Sequence, residues 1–171
     1  MNTKYRLIVI AIAVVFLLYA LYHQHFNFVV YIAGGIGYLV WSHYREGTVF
    51  LATQAFHKQD YEKTKRLLSE VKNPDTLRKG RRHYYEFMLG NIALKEERLD
   101  EAEYHFQLAS RLPWKRDSEK AFVLINLANI NLRKKRYDRV PAYLELVKKL
   151  RLTERQNNIV EKIELELNKH I

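Results

Sequence analysis

The side chains of this chain that could carry out catalysis are its serines, histidines and paired acids, and their spacing fits no catalytic motif. Pairs such as Glu96-Glu97 and Asp100-Glu101 have the residue type needed for general acid–base chemistry. They fall in polar stretches of the chain, where exposure to solvent is a sufficient reason for acidic side chains. The sequence has no phosphate-cradling glycine loop, no HExxH metal motif and no Gly-x-Ser-x-Gly nucleophile elbow. We therefore expect no enzymatic activity and no cofactor.

Metal binding is a second chemistry to consider, because histidine is a common metal ligand. The seven histidines are scattered along the chain, and only His23 and His25 lie close together. Two histidines in a turn without a third ligand are more typical of polar residues at an interface than of a metal site. The chain has no cysteine, which excludes disulfides, a thiol nucleophile and thiolate ligands. The sequence predicts no metal site.

Binding to an anionic partner is a third possibility, because Lys and Arg occur in clusters. Residues 45–171 contain all 19 acidic side chains and 27 of the 29 Lys and Arg, which gives them a formal charge of +8. The clusters are 78–82, 115–116, 133–136 and 148–151. The last three fall at or near turns, so they could gather on one edge. Anionic lipid, an acidic protein and a solvated surface all remain open, whereas nucleic acid is not expected because no nucleic-acid-binding module is present.

Two apolar segments at the N-terminus are the first elements that would position these residues. Residues 7–22 contain no charged side chain, and with their flanks they approach the roughly 20 residues needed to cross a hydrocarbon core of about 30 Å. A second apolar segment, 26–44, follows after three residues. We predict a transmembrane hairpin over 1–44, with spans at 5–22 and 26–44. A cleaved signal peptide fits less well, because no small-x-small cleavage site follows the first segment.

The basic residues around the hairpin predict its orientation. Lys4 and Arg6 precede the first segment, the turn contains no Lys or Arg, and Arg45 begins the basic remainder of the chain. Positively charged loops stay on the cytoplasmic side. We therefore expect an integral membrane protein with both termini and the domain after the hairpin in the cytoplasm. The compact plan of hairpin plus repeats favours a prokaryotic inner membrane.

A patch of small residues lies in the second predicted span. It consists of Ala33, Gly34, Gly35 and Gly37. Small residues let two helices approach closely in lipid. We expect Ala33, Gly34 and Gly37 above all to pack against the first span, or against a membrane helix of another protein.

The rest of the chain contains three related copies at a spacing of 38 residues. Six positions of the first copy recur in the other two: Leu51, Ala52, Ala55, Tyr61, Leu68 and Val71; Leu89, Gly90, Ala93, Leu99, Phe106 and Ala109; Leu127, Ala128, Asn131, Tyr137, Leu144 and Val147. Apolar residues recur at three and four positions, which predicts helix pairs at 46–57 with 60–72, 81–96 with 99–111, and 118–134 with 137–150. Such a pair cannot bury its apolar face alone, so the copies must stack into an α-solenoid with a concave surface.

The predicted fold class is therefore all-α, a transmembrane hairpin followed by a helical repeat domain over 45–171. The copies cover 45–80, 83–117 and 121–152, and a capping helix covers 153–170. Thr153 is the predicted N-cap of that last helix. Apolar residues recur along this helix every four positions, while acidic and basic residues occupy much of the remaining surface, as expected of a terminal cap.

The middle copy resembles a tetratricopeptide repeat. It contains Leu89-Gly90-x-x-Ala93, then Ala102-x-x-x-Phe106-x-x-Ala109, and then Pro113. The family places small residues where the two helices cross, an aromatic wedge between them and a proline after the second helix. The resemblance covers residues 45–152 and departs from the family at Thr64, Asn131 and Val140. The period exceeds the usual length of about 34 residues, and we place the extra residues in turns such as 114–117.

The resemblance also implies a binding site, because the first helix of each pair lines the groove of a tetratricopeptide protein. The corresponding residues are Tyr84, Phe87, Asn91 and Lys95 in copy two, and Phe122, Asn126, Asn129 and Arg133 in copy three. Asparagine both donates and accepts hydrogen bonds, so it can pair with the backbone of a peptide, and aromatic rings supply apolar contact area. The expected partner is a protein or peptide.

Asn91 and Asn126 match the two asparagines of the clamps with which chaperone-binding members hold a terminal carboxylate. Phe87, Val160 and Glu164 stand where such clamps need Lys or Arg, so we do not expect a carboxylate clamp. The predicted function is a membrane-anchored scaffold or adaptor that recruits or organises a protein partner at the cytoplasmic face. The alternative is an accessory subunit or assembly factor of a larger membrane complex, held mainly through its hairpin.

Overall fold

The computed structural model describes residues 12, 14–16, 19 and 26–170, and all regular structure within them is helical. The α-helices are α1 (Phe26–His57), α2 (Tyr61–Ser69), α3 (Lys79–Lys95), α4 (Leu99–Arg111), α5 (Asp117–Arg133), α6 (Val140–Lys148) and α7 (Glu154–Leu167). Short 3-10 helices cover Pro74–Thr76 and Tyr137–Arg139. The prediction of an all-α fold is confirmed for this part of the chain. The residues form two compact units, Met1–Thr48 and Val49–Ile171.

The predicted membrane hairpin receives no support from the first unit. Within the described residues, no helix combines the length and the apolar character needed to cross a bilayer. Asn27, His43 and three glycines dilute the apolar side chains of the predicted span at 26–44. The other predicted span, 5–22, lies outside the described residues except for 12, 14–16 and 19.

The predicted start of a separate helix at 46 is wrong, because α1 runs without a break from Phe26 to His57. Residues 41–48 contain no proline and a single glycine, so nothing in them ends a helix. The small-residue patch lies within α1. Ala33 and the glycines at 34, 35 and 37 are exposed, and a Cβ added at any of these glycines would meet no described atom within 4 Å. The packing predicted for this patch stays a prediction.

The backbone of the second unit repeats at the 38-residue spacing of the sequence. The first helix of each copy ends at an equivalent residue with positive φ: 60° at Gln59, 61° at Glu97 and 56° at Lys135. The next N–H donates to a carbonyl oxygen five residues back, in the pairs Asp60 to Ala55, Arg98 to Ala93 and Arg136 to Asn131, at 3.0, 2.9 and 2.9 Å. This is the Schellman arrangement, in which a left-handed residue ends the helix. Three identical endings place the copies in one register.

None of these three left-handed positions holds glycine, which leads to a stability prediction. Lys135→Gly is expected to raise the free energy of unfolding by about 1 kcal/mol, because a side chain is strained at positive φ. Urea unfolding followed by circular dichroism measures the change. The matched control is Glu145→Gly at an exposed position of α6, where glycine should instead lower stability by about 1 kcal/mol. Destabilisation by both substitutions would contradict the strain argument.

The crossing of the helices in copy two follows the predicted motif. Gly90 in α3 faces the ring of Phe106 in α4 so closely that an added Cβ would lie 3.0 Å from Cε1 of the ring. Phe106 and Ala102 are fully buried in the larger hydrophobic cluster, which extends through α5 and α6 to α7. The aromatic wedge therefore occupies the space that the glycine leaves.

Two details of the last helices are set by local sequence. In copy three, a 3-10 helix at Tyr137–Arg139 precedes α6, because Pro141 favours the first turn of a helix. The predicted N-cap of α7 is confirmed as part of a capping box: Gln156 Oε1 accepts from the N–H of Thr153 at 3.0 Å, and Thr153 Oγ1 accepts from the N–H of Gln156 at 3.4 Å. Gln156 Nε2 also donates to the carbonyl oxygen of Ser118 at 2.7 Å, which ties α7 to α5.

Candidate functional site

A groove of about 650 Å³ lies in the second unit between α3, α5 and α7. Its lining residues are Phe87 and Asn91 from α3; Phe122, Ile125, Asn126, Asn129 and Leu132 from α5; and Ile159, Lys162, Ile163 and Glu166 from α7. Most of this lining is aromatic or aliphatic, with a few amides between the apolar side chains. Its size falls in the range of roughly 300–1,000 Å³ that is typical of binding sites.

Five of the eight residues predicted for the groove line it. They are Phe87, Asn91, Phe122, Asn126 and Asn129. Phe122 is 38% exposed, an unusual position for a phenylalanine whose neighbours on the same helix are buried. It gives the groove an apolar surface that water contacts in the free protein.

The other three predicted residues are not part of the lining. The Tyr84 hydroxyl donates to Glu119 Oε1 at 2.9 Å; burial raises the pKa of this phenol, and the hydrogen bond raises it further. Lys95 Nζ lies 3.8 Å from the centroid of the Tyr61 ring. Arg133 Nη2 lies 3.3 Å from Glu97 Oε1. Each of these side chains contacts a neighbouring copy, because it stands near an end of its helix.

The asparagines of the groove differ in how their amides are used. Asn91 Nδ2 donates to the carbonyl oxygen of Phe87 at 2.7 Å, within its own helix. Asn126 and Asn129 are half-buried, and among the described residues neither side-chain amide has a hydrogen-bond partner. Residues three apart on a helix have Cβ atoms about 5–6 Å apart. Groups on one side of an extended chain recur about every 6.6–6.8 Å, so both amides can reach the backbone of one extended segment.

The helix α7, predicted as a capping helix, also lines the groove, and none of its lining residues was among those predicted for the site. The spacing of Ile159, Lys162, Ile163 and Glu166 places them on one face, and this signal could have found them. A hydrogen bond from Lys169 lowers the pKa of Glu166. With Lys162 as the one base and Glu166 as the one acid, the lining is electrically neutral.

Several residues of the basic clusters pair with carboxylates of the same chain. Lys134 Nζ lies 2.6 Å from Glu103 Oε2, and Lys148 Nζ lies 2.6 Å from Glu164 Oε1. Other pairs are Arg82 with Asp75 and Glu86, Arg116 with Glu119, Arg133 with Glu97, Lys134 with Asp100, and Arg136 with Glu103. Arg116 and Lys148 remain 74% and 59% exposed despite their ion pairs. Contact with anionic lipid stays a prediction.

No protein-family model, curated protein or solved structure matches this chain. The resemblance to tetratricopeptide repeats therefore rests on the residues of the middle copy. In the part of the chain that the structure describes, no three His, Asp or Glu side chains are grouped so as to hold a metal ion. The groove is the site whose geometry bears on function.

Proposed function

We propose that this chain is a membrane-anchored adaptor of the tetratricopeptide type, without enzymatic activity, whose groove binds an extended segment of a partner protein. The observation that carries the proposal is the pair of half-buried amides at Asn126 and Asn129, which have no hydrogen-bond partner among the described residues. Both amides are half-buried and therefore accessible from the groove, and a ligand that supplies backbone N–H and C=O groups can pair with both. The exposed ring of Phe122 beside them would contact an apolar side chain of that segment.

The charge of the groove limits the kind of partner segment that can bind in it. Lys162 and Glu166 balance each other, so the lining is neutral in a chain with a formal charge of +10. A neutral, largely apolar groove favours a segment with apolar side chains, and it favours neither a terminal carboxylate nor a nucleic-acid backbone.

Membrane anchoring is the part of the proposal that rests mainly on sequence. Residues 7–22 carry no charge, and residues 1–44 contain no acidic side chain. The exposed side chains of Val15, Phe16 and Tyr31 support anchoring, because they would be covered in lipid or by another protein. The inner membrane of a prokaryote, with the repeats in the cytoplasm, remains the proposed location.

The second candidate function is an accessory subunit or assembly factor held through α1. It is favoured by the open surface at Gly34 and Gly37, where an added Cβ would meet no described atom within 4 Å. Such a surface leaves room for a helix of another membrane protein. In this case the hairpin, rather than the groove, provides the affinity.

Affinity purification of the full chain in mild detergent, with co-purifying proteins identified by mass spectrometry, distinguishes the two functions. The groove variant combines Asn126→Ala with Asn129→Ala, and the helix variant combines Gly34→Leu with Gly37→Leu. Loss of a partner in the groove variant alone is expected for an adaptor, because its amides bind that partner. Loss in the helix variant alone would establish the accessory subunit instead.

Asn157 and Asn158 provide the matched control, because they are exposed on α7 and do not line the groove. Replacing both with alanine removes the same chemical groups and should leave partner recovery unchanged. If this control loses the partner as fully as the groove variant, recognition does not depend on the groove.

A further inference from the structure

An ion pair closes the junction between copies one and two. Lys65 on α2 places Nζ 2.8 Å from Oε1 of Glu96, in the turn that ends α3. Glu96 also pairs with Arg98. Hydrogen bonds from Lys65 and Arg98 lower the pKa of Glu96, so its carboxylate is ionised at neutral pH. In this junction the earlier copy supplies the base and the later copy the acid.

The junction between copies two and three is closed by an ion pair of opposite polarity. Glu103 on α4 is now the acid of the earlier copy, and Lys134 and Arg136 are bases in the turn that ends α5. Lys134 Nζ lies 2.6 Å and Arg136 Nη1 3.1 Å from Glu103 Oε2. Lys134 also pairs with Asp100. The exposed fractions of the Glu103 and Lys134 side chains are 8% and 13%, so this contact holds little water.

The two ion pairs occupy equivalent positions of the repeat. Lys65 and Glu103 are 38 residues apart, and so are Glu96 and Lys134. The charges beside them keep their sign from copy to copy: Glu62 is equivalent to Asp100, and Arg98 to Arg136. Of these four pairs of equivalent positions, the two that form the ion pair across the junction differ in the sign of their charge, and the other two do not.

We propose that this reversal of polarity fixes the order in which the copies stack and prevents copies of different chains from stacking on one another. If α2 of one chain stacked on the end of α5 in another, Lys65 would face Lys134. If α4 stacked on the end of α3, Glu103 would face Glu96, and Arg98 would stand where Arg136 stands in the native junction. Like charges that face each other oppose association, most strongly at the second junction, because Lys65 and Glu96 are 51% and 36% exposed whereas Lys134 and Glu103 are 13% and 8% exposed. Related copies of similar shape thus accept only their neighbour in the chain, and this property is independent of the groove.

Combining Lys65→Glu with Glu96→Lys tests the proposal in the full chain. It preserves the net charge and the ion pair, but it gives both junctions the same polarity. After refolding from urea in mild detergent, the oligomer fraction is measured by size-exclusion chromatography with light scattering. We expect it to be several-fold higher than for the wild type and to rise with protein concentration, because stacking between chains is no longer repelled. Far-UV circular dichroism shows whether the variant has folded.

A second variant combines Glu103→Lys with Lys134→Glu. In it, the earlier copy supplies the base and the later copy the acid at both junctions. All four substitutions together restore opposite polarities, and this chain is expected to return to the oligomer fraction of the wild type. The control exchanges Lys148 and Glu164, an ion pair at 2.6 Å between α6 and α7, outside both junctions. An unchanged oligomer fraction in both double variants, or an equal rise in the control, would overturn the proposal.

Discussion

Replacing Glu86 with alanine is expected to lower the free energy of unfolding by about 3 kcal/mol, because it removes one partner of a buried ion pair. The Glu86 side chain in α3 is 2% exposed. Its Oε1 accepts from Arg82 Nε at 2.5 Å, and its Oε2 lies 2.7 Å from Nδ1 of His105 in α4. Without the carboxylate, Arg82 keeps only its contact with Asp75 at 2.6 Å. This retained partner places the effect at the lower end of the range for broken buried pairs.

Urea unfolding of the full chain in mild detergent, followed by circular dichroism, measures this loss. Glu86→Gln is expected to cost about 1 kcal/mol, since the amide keeps the volume and can still accept from Arg82. Glu145→Ala, at an exposed position of α6, should change stability by less than about 0.5 kcal/mol. If the alanine variants at 86 and 145 unfold at the same urea concentration, the buried network contributes nothing to the fold.

The helices after residue 57 could be predicted from sequence because their signals are local. The period of 38 residues, the turns near Glu97 and Pro113 and the N-cap at Thr153 all depend on neighbouring residues. The course of α1 could not be predicted in this way. The change from apolar to charged residues near 45 favours a boundary between elements, yet composition alone does not end a helix without a residue that breaks it.

In the candidate groove, too, the residues set by local periodicity could be predicted and those set by packing between helices could not. Motif positions in α3 and α5 include five residues that line the groove, because the side chains of one helix face are fixed by its own periodicity. Tyr84, Lys95 and Arg133 stand near helix ends, where contacts with the next copy decide the direction of the side chain. Helical spacing places Lys162 and Glu166 on one face of α7, but only the packing of α7 against α5 brings that face to the groove.

Buried polar groups were the least predictable part of the structure. Glu86 stands among apolar residues at a position that periodicity assigns to the core, and its partners lie 4 and 19 residues away. Only the packing of α4 against α3 brings His105 to it. Ion pairs of this kind depend on the tertiary fold, so the charge clusters in the sequence do not show which bases are paired.

Gly90→Leu is expected to lower the free energy of unfolding by about 3 kcal/mol, because the crossing of α3 and α4 has no space for a side chain. An added Cβ would lie 3.0–3.1 Å from three atoms of the Phe106 ring, and that ring is completely buried. Gly90→Ala should be nearly neutral. Alanine gains about 1 kcal/mol of helix propensity over glycine, which offsets the cost of moving the ring.

Gly80 is the matched control, because it lies in the first turn of the same helix and an added Cβ there would meet no described atom within 4 Å. Gly80→Leu should therefore raise stability by about 0.5 kcal/mol through helix propensity alone. If Gly90→Leu lowers the free energy of unfolding and Gly80→Leu raises it, the difference comes from the helix crossing, because both substitutions exchange glycine for leucine in α3. Equal shifts in the urea midpoint at the two sites would mean that Phe106 does not occupy the space beside Gly90.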